Sequence, residues 1–316
     1  MSPLVVGIDT SCYTTSVACV STEGIVFEKR TMLSVALGDR GLRQSDAVFQ
    51  HVKNLPPLVD ALFSEVRGED VAAVAYSGMP TGAPDSYMPV FLAGKGTAKA
   101  IASALHAPLV ETTHQLGHVR AALFRNDALL SADKLFALHL SGGTTDVLSV
   151  TLCNGALGDI APLGGSDDLH AGQFVDRIGV RMGLPFPAGC SLEALANGAA
   201  CRNVKLPSYV RGLHCSFSGQ ETHALRLLDG GAAKAEVAFA VYDCLARTIG
   251  KLIENAAAEY GARPVLLSGG VSGSVLFRTL LEARTKQKLY YAWEGLSSDN
   301  AVGVALHGLD RINAYV

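Results

Sequence analysis

The sequence has little charge and no excess of basic residues. Only 17% of its 316 residues are Asp, Glu, Lys or Arg, and the formal net charge is −3. A protein that binds polyanions over its whole surface is therefore excluded, and contact with nucleic acid would need a local cluster of Lys and Arg. The hydrophobic fraction of 49% and the 33 glycines exclude disordered, coiled-coil and collagen-like chains and favour a compact α/β enzyme.

Paired cysteines and long apolar runs are also missing. The seven cysteines include no CxxC pair, so we expect reduced thiols and neither a zinc ribbon nor a disulfide framework. No apolar stretch reaches the roughly 18 residues of a membrane-spanning helix. The first residues, MSPLVVGIDTSC, lack the basic region of a signal peptide. We therefore expect a soluble, cytoplasmic protein that does not engage a membrane.

Two segments share one design, in which an apolar strand, a turn of Ser, Thr and Gly, and a second strand follow one another. They are LVVGIDTSCYTTSVACV at residues 4–20 and LFALHLSGGTTDVLSVTL at residues 135–152. This is an internal repeat of two hairpins. Periodicity and short apolar runs predict further helices and strands between and after them: helices at 47–66, 96–105 and 235–260, and strands at 71–76 and 265–267.

Alternating strands and helices predict two layered α/β halves. We place the first half at residues 1–125 and the second at residues 126–316. The second half is expected to contain a helical insertion at about 160–230.

His114 and His118 are four residues apart in HQLGH, at the start of a segment with helical character. On a helix, side chains at i and i+4 lie on one face about 5–6 Å apart, so both imidazoles can bind one divalent metal ion. Taken alone, the pattern also fits two surface or capping histidines. Gln115 stands where an HExxH metalloprotease has its glutamate base, which disfavours that mechanism.

Two glycine-rich turns are candidate phosphate sites: SGGTT at 141–145 and SGGVSGS at 268–274. Glycines allow close backbone approach, and consecutive N–H groups form a concavity that binds anions. The first turn also fits an ordinary hairpin. The second lies between a strand and a helix, which favours a bound nucleotide. Neither turn has the G-x-G-x-x-G or Walker A spacing.

Three acidic residues are further candidates. Asp176 and Glu193 flank a Pro- and Gly-rich turn, where they would accept hydrogen bonds from ribose hydroxyls or form ordinary surface salt bridges. Asp299 precedes an apolar helix, which indicates a helix cap or a metal ligand.

Seven elements resemble, in their order along nearly the whole chain, the motifs of the TsaD family, once called O-sialoglycoprotein endopeptidases: GIDTSC, HQLGH, LSGGTT, GQFVDRIGVRMGLPFPAG, CSFSGQETHAL, LLSGGVSGS and SSDNAVGVAL. The resemblance implies the ASKHA fold, a duplicated two-subdomain α/β fold of the actin-like ATPase and RNase H-like type. It also implies an acyltransferase that moves a threonylcarbamoyl group from its adenylate to the exocyclic amine of an adenosine in tRNA.

The resemblance further implies the residues of the site. One divalent metal, iron or zinc, would be held by His114, His118, His139 and Asp299. An adenine nucleotide, either ATP or threonylcarbamoyl adenylate, would be bound by His139, Leu140, Ser141, Gly142, Gly143, Thr144, Asp176, Gly189, Glu193, Gly269, Gly270 and Ser274. The predicted catalytic residues are Asp9 and Ser141.

Some residues depart from the family pattern. Tyr13 and Thr14 follow GIDTSC where two acidic residues are usual, and Ser274 stands where an Asn is usual. These departures keep two alternatives open. One is a carbamoyl-type transferase with another acceptor, and the other is a paralogue with reduced catalysis that acts as a nucleotide-binding or scaffold subunit. A sugar kinase or actin-like ATPase is disfavoured because it would have no use for the histidines.

The resemblance also implies partners. We expect tRNA to bind together with partner subunits, and the chain to form a homodimer or a heterodimer with a related ASKHA subunit. Candidate RNA contacts are Lys29, Arg30, Arg40, Arg43 and Lys53, although scattered basic residues also fit a solvated face.

Overall fold

The computed structural model describes residues 2–11, 13–35, 42–153, 155–293 and 295–313. These residues form two compact units. The first unit comprises the described parts of Met1–Arg125 and Ser298–Val316, and the second is Asn126–Ser297.

The first unit begins with a hairpin and continues with alternating helices and strands. In chain order up to residue 125, its elements are β1 (Leu4–Thr10), β2 (Thr14–Ser21), β3 (Gly24–Met32), α1 (Gln44–Glu65), β4 (Val71–Met79), α2 (Phe91–Leu105), β5 (Leu109–Thr113) and α3 (His114–Leu123).

Within the described residues, the sheet of the first unit has the strand order β3-β2-β1-β4-β5. β1 and β3 pair antiparallel with β2, whereas β4 runs parallel to β1 and β5. Val6 and Ile8 of β1 belong to a buried cluster with Leu55 of α1 and Ala98 of α2. Successive strand residues face opposite sides of a sheet, so Asp9 lies on the face away from this cluster.

The second unit repeats this plan and adds helices. Its elements in chain order are α4 (Asp127–Leu130), β6 (Lys134–Leu140), β7 (Thr145–Cys153), β8 (Ala156–Ser166), α5 (Ala171–Arg181), α6 (Gly189–Asn197), β9 (Tyr209–Arg211), β10 (His214–Ser216), α7 (Ser218–Asp229), α8 (Lys234–Tyr260), β11 (Val265–Ser268), α9 (Val275–Glu282) and β12 (Leu289–Tyr291). The predicted insertion at about 160–230 contains α5, α6 and α7, together with the end of β8 and the short strands β9 and β10.

The sheet of the second unit, as far as it is described, has the order β12-β11-β6-β7-β8-β10-β9. Its part β8-β7-β6-β11-β12 matches β3-β2-β1-β4-β5 strand for strand, with the same antiparallel and parallel pairings. The predicted α/β class and the internal repeat are therefore confirmed. The predicted helices correspond to α1, α2 and α8, although α2 begins five residues earlier than expected, at Phe91.

The last helix, α10 (Val302–Asn313), packs against α3, β1 and β4 of the first unit. α3 and α10 cross at two glycines, and a Cβ atom on Gly303 would overlap the carbonyl oxygen of Gly117. The sequence-based division, with its second half at 126–316, differs from this grouping. Helical periodicity indicates that α10 has an apolar face but does not indicate which sheet that face covers.

The six described cysteines are all free thiols, and Cys12 lies outside the described residues. Burial raises the pKa of Cys19 and of Cys244 to about 11, so these two thiols are poor nucleophiles. In the described ranges, none of the helices combines the length and apolar character that crossing a membrane requires.

Candidate functional site

The start of α3 places two histidines side by side. Thr113 ends β5 and caps α3, because its Oγ1 accepts a hydrogen bond of 3.1 Å from the backbone N–H of Leu116. His114 is therefore the first residue of the helix and His118 lies one turn later. Their ring centroids are 4.4 Å apart. The i, i+4 geometry expected from HQLGH is thus present.

Asp299 completes a cluster of three donor atoms. The Nε2 atoms of His114 and His118 are 3.0 Å apart, and Asp299 Oδ1 lies 3.1 Å from His118 Nε2 and 3.6 Å from His114 Nε2. A tetrahedral ion with ligand bonds of about 2.0–2.1 Å spaces its ligand atoms about 3.3–3.4 Å apart. The three donors therefore fit one divalent ion. The crossing of α3 and α10 at their glycines brings Asp299 to this place.

The charges of the cluster are coupled. Burial lowers the pKa of His114, but the carboxylates of Asp9 and Asp299 outweigh this effect and raise its pKa well above the ordinary value. Burial and the neighbouring His114 lower the pKa of His118. Burial raises the pKa of Asp299, but hydrogen bonds from both histidines outweigh it and hold this pKa well below its usual range. The carboxylate and one neutral imidazole are thus ready to bind a cation.

Asp9 lies against His114, one of the three donors of the cluster. Its Oδ1 is 3.0 Å from His114 Nδ1 and also accepts a hydrogen bond from the Ser77 hydroxyl. A carboxylate oxygen accepts this hydrogen bond, so His114 Nδ1 carries a hydrogen, and Nε2 is the nitrogen that could bind a metal ion after losing its proton. Asp9 thus orients His114 in this structure. Its predicted catalytic role stays a prediction.

Two residues that were not predicted as part of the metal site hold Asp299. The Ser11 hydroxyl donates a 2.8 Å hydrogen bond to Asp299 Oδ2. Arg30 Nη1 donates to the backbone oxygen of Asp299 at 3.2 Å and to Ser298 Oγ at 2.8 Å. The sequence offered no signal for either contact, because each joins residues more than 260 positions apart.

The other candidate RNA contacts are not linked to the cluster of His114, His118 and Asp299 by any contact described above. Lys29, Arg43 and Lys53 are exposed. The Nζ atom of Lys53 lies 5.6 Å from the ring centroid of Phe49. Arg40 lies outside the described residues. A role for these residues in RNA binding stays a prediction.

His139 belongs to the second unit, where it is buried near the end of β6. Its Nδ1 lies 3.2 Å from Ser268 Oγ on the neighbouring strand β11. The cluster described above is formed within the first unit by His114, His118 and Asp299. The expectation that His139 is a further metal ligand stays a prediction.

The turn after β6 rests on the start of α5. The Gly172 N–H donates to the backbone oxygen of Ser141 at 3.0 Å, and the Ala171 N–H donates to Thr145 Oγ1 at 2.7 Å. The N–H groups of Gly143 and Thr144 both donate to Ser141 Oγ, at 3.2 and 3.1 Å. Ser141, a predicted catalytic residue, thus shapes its own turn. Leu140 is buried and Gly142 is partly buried.

The second glycine turn begins at Gly269, whose φ of 87° favours glycine. A Cβ atom there would overlap the backbone oxygen of Leu140, so the two predicted turns lie against each other. Gly270 begins a short 3₁₀ turn, Gly270–Gly273. Ser274 then caps α9 by accepting a 3.1 Å hydrogen bond from the Phe277 N–H.

The two acidic candidates of the second unit each hold a helix start. Asp176 Oδ1 accepts from the Ala188 N–H at 2.7 Å, and Glu193 Oε1 accepts from the Leu276 N–H at 2.7 Å. Gly189, the first residue of α6, accepts a 2.9 Å hydrogen bond from the Tyr242 hydroxyl. Burial raises the pKa of Asp176. These contacts tie α5, α6 and α9 to one another around the glycine turns.

Solved structures share the fold at low sequence identity. HypF from T. kodakarensis superposes with a TM-score of 0.63 at 16% identity, over 99% of this chain and 48% of that chain. Component A of the (R)-2-hydroxyglutaryl-CoA dehydratase from Acidaminococcus fermentans has a TM-score of 0.62 at 16% identity, over 99% of this chain and all of that chain. These likenesses confirm the predicted ASKHA fold.

Sequence comparison identifies the family. The model of the family described as "TsaD: tRNA N6-adenosine threonylcarbamoyltransferase" matches residues 37–306. Two proteins named tRNA N6-adenosine threonylcarbamoyltransferase are similar over most of their length. The one from Methanopyrus kandleri is 28% identical over 96% of this chain and 86% of its own, and the one from Archaeoglobus fulgidus is 27% identical over 97% and 90%. The chain therefore belongs to the TsaD family of transferases.

Proposed function

We propose that this protein transfers a threonylcarbamoyl group from its adenylate to N6 of an adenosine in tRNA, with a divalent metal bound by His114, His118 and Asp299. The observation that carries the proposal is the convergence of two imidazole Nε2 atoms and one carboxylate oxygen within 4.8 Å of one another, in a chain of the TsaD family. Nitrogen and oxygen donors of this kind suit zinc or iron better than magnesium.

Neighbouring side chains hold the proposed metal ligands in the orientation that metal binding requires. Asp9 fixes the tautomer of His114, and Ser11 occupies one oxygen of Asp299, so that the other oxygen faces the histidines. When bound, the metal would act as a Lewis acid that polarises an oxygen of the acyl group. Orienting the ligands beforehand reduces the reorganisation that accompanies metal binding.

The second unit would bind the adenylate. We assign the phosphate to the turn of Ser141, Gly142, Gly143 and Thr144 beside the first residues of α5, because backbone N–H groups and a helix N-terminus favour an anion. Ribose and adenine would lie near Asp176, Gly189, Glu193, Gly269, Gly270 and Ser274. Hydrogen bonds of Asp176 and Glu193 join three helices around the turns, which supports precise positioning of a substrate.

The transfer needs no covalent enzyme intermediate. The N6 amine attacks the carbonyl carbon of the threonylcarbamoyl group and a C–N bond forms. The C–O bond to the phosphate breaks, AMP leaves with the bonding electron pair, and the amine loses one proton. Hydrogen-bond donors near the phosphate would stabilise the charge that develops on the leaving group.

The test is a reconstitution with the full chain. Threonine, bicarbonate, ATP, an adenylate-forming partner enzyme and unmodified tRNA are supplied, and modified adenosine is measured by mass spectrometry. We expect product with the wild type and at least about 100-fold less with Asp299→Asn, because metal catalysis is worth several kcal/mol. Asp159→Asn, at an exposed position of β8, is the matched control and should retain activity.

The reconstitution also tests the alternatives. A wild type that binds zinc and ATP but yields no modified tRNA with all partners present would contradict the proposed acceptor and favour a carbamoyl-type transferase acting on another molecule. A wild type that binds neither would favour the scaffold alternative. Dimerisation with itself or with a related subunit, and a cytoplasmic location beside the tRNA pool, belong to the same proposal.

A further inference from the structure

A buried histidine of α1, His51, contacts the loop that follows β1. It is completely buried, its Nε2 is 2.8 Å from the backbone oxygen of Ser11, and its Nδ1 is 2.8 Å from Thr15 Oγ1. A carbonyl oxygen can only accept, so Nε2 carries a hydrogen and donates it to Ser11. The Thr15 hydroxyl also accepts from Asn54 Nδ2 at 3.2 Å, which leaves its own hydrogen for His51 Nδ1. Both ring nitrogens of a neutral His51 are therefore satisfied.

The other end of this chain of contacts is Asp299, the carboxylate of the proposed metal site. Ser11 is buried, and its hydroxyl lies 2.8 Å from Asp299 Oδ2 but 3.5 Å from the backbone oxygen of Thr14. The carboxylate is therefore the better acceptor. Asp299 directs its other oxygen, Oδ1, toward the two ligand histidines. The Ser11 hydroxyl thus supports the rotation of Asp299 in which Oδ1 faces the two histidines.

We propose that Ser11 and His51 are positioning residues of the metal site, with His51 fixing the backbone of Ser11 and Ser11 fixing the rotation of Asp299. Neither touches the metal donors on His114 and His118. The inference rests on the proposed function, because it assumes that Asp299 is a metal ligand. Groups that orient metal ligands typically contribute about 10- to 100-fold to metal affinity.

The first experiment removes the hydroxyl. Zn²⁺ affinity of the full chain is measured against a competing chelator, and the visible absorption of the Co²⁺-loaded protein reports the ligand geometry. For Ser11→Ala we expect about tenfold weaker Zn²⁺ binding and altered Co²⁺ bands, with an unchanged circular dichroism spectrum. Wild-type affinity together with wild-type Co²⁺ bands in Ser11→Ala would overturn the inference.

The second experiment tests the role of the histidine. His51→Leu removes the donor to Ser11, whereas His51→Gln can place an amide N–H near the position of Nε2. We expect His51→Leu to weaken Zn²⁺ binding and His51→Gln to recover part of the loss, which a purely structural role would not predict. His307→Leu, at a buried histidine of α10, is the control and should keep wild-type affinity.

The double variant Ser11→Ala, His51→Leu distinguishes a chain of contacts from two separate effects. Because His51 acts through Ser11, its substitution should add little once the hydroxyl is gone. Fully additive losses would overturn the role of His51, and if His51→Leu fails to fold, His51→Gln and Ser11→Ala still decide the matter. A wild type without Zn²⁺ or Co²⁺ affinity would overturn the metal part of the proposed function as well.

Discussion

The two units carry corresponding residue pairs at one place in the repeated sheet. Asp9 is the last residue but one of β1 and accepts a hydrogen bond from Ser77 on the parallel neighbour β4. His139 is the last residue but one of β6 and contacts Ser268 on the parallel neighbour β11. The backbone plan is the same, but the first unit has a carboxylate where the second has an imidazole.

The serine that follows the strand also has a different role in each unit. Ser11 follows β1 and gives its hydroxyl hydrogen to a carboxylate, whereas Ser141 follows β6 and accepts two backbone N–H groups. The first unit thus offers side-chain donors suited to a cation, and the second offers a glycine-rich turn suited to an anion. The same backbone plan occurs twice, and a few side chains at the strand ends distinguish the chemistry that each copy offers to a ligand.

The largest expected effect comes from His118→Ala, which removes one of the three proposed metal ligands from the first unit. Purified wild-type protein should hold about one metal ion per chain and the variant almost none. Transferase activity should fall at least about 100-fold. Elemental analysis and the tRNA assay measure both, and ATP affinity should stay unchanged because the glycine turns belong to the second unit. A parallel loss of ATP binding would contradict the division of roles.

The second prediction is the converse: a substitution in the second unit should weaken ATP binding and leave Zn²⁺ binding intact. Gly269→Ala places a Cβ against the backbone oxygen of Leu140 at a positive φ, which should destabilise the fold by about 1–3 kcal/mol. ATP affinity should fall about tenfold, which corresponds to about 1.4 kcal/mol, while Zn²⁺ affinity is retained. Isothermal titration with each ligand is the measurement. Gly219→Ala, at an exposed glycine of α7, is the control, because nothing lies near its Cβ position; an equal loss in both variants would argue against the strain explanation.

A smaller effect is expected for Asp9→Asn. The amide cannot provide the charge that holds the His114 Nδ1–H, so Zn²⁺ affinity should fall about tenfold. Chelator competition measures it. The equivalent change in the second unit, Ser268→Ala beside His139, tests whether the corresponding pair also affects metal binding. If only the Asp9 variant weakens Zn²⁺ binding, the result supports a metal site in the first unit alone. If only the Ser268 variant does, the result contradicts this assignment.

The smallest effect concerns pH and the metal-free protein. Burial lowers the pKa of His51 below its ordinary value of 6.5. Below pH 6.5 the unfolded chain binds a proton there more readily than the folded one, so this residue makes the free energy of unfolding decrease as the pH falls. His51→Gln lacks that titration, and its stability deficit relative to the wild type should shrink from pH 7.5 to 5.5. Urea unfolding in EDTA at both values measures the difference; a deficit that grows would contradict a neutral His51.

Local spacing explains which parts of the site were predictable. His114 and His118 are one helical turn apart, and the hairpin turns are continuous in sequence, so their motifs indicated their chemistry. Asp299 was linked to them by family resemblance and not by spacing, because 181 positions separate it from His118. Its approach depends on the contact between Gly117 and Gly303, which no periodicity reveals.

The surrounding residues were not predictable for a related reason. His51 looks like an ordinary helix residue in HVKNLPP, and its partners Ser11 and Thr15 are 40 and 36 positions away. Ser77 belongs to no recognisable motif. Its contact with Asp9 becomes visible only through the pairing of β4 with β1. Sequence patterns thus indicated the candidate ligand-binding groups, whereas the groups that orient these side chains depend on tertiary packing.

The first unit is interrupted in sequence by the whole of the second, and this has a consequence for biosynthesis. A ribosome releases His114 and His118 before the second unit, whereas Asp299 emerges only after the whole of that unit. A nascent chain on which the second unit is still being made has the two imidazoles without their carboxylate. High-affinity metal capture would then mark a chain whose translation has passed the second unit.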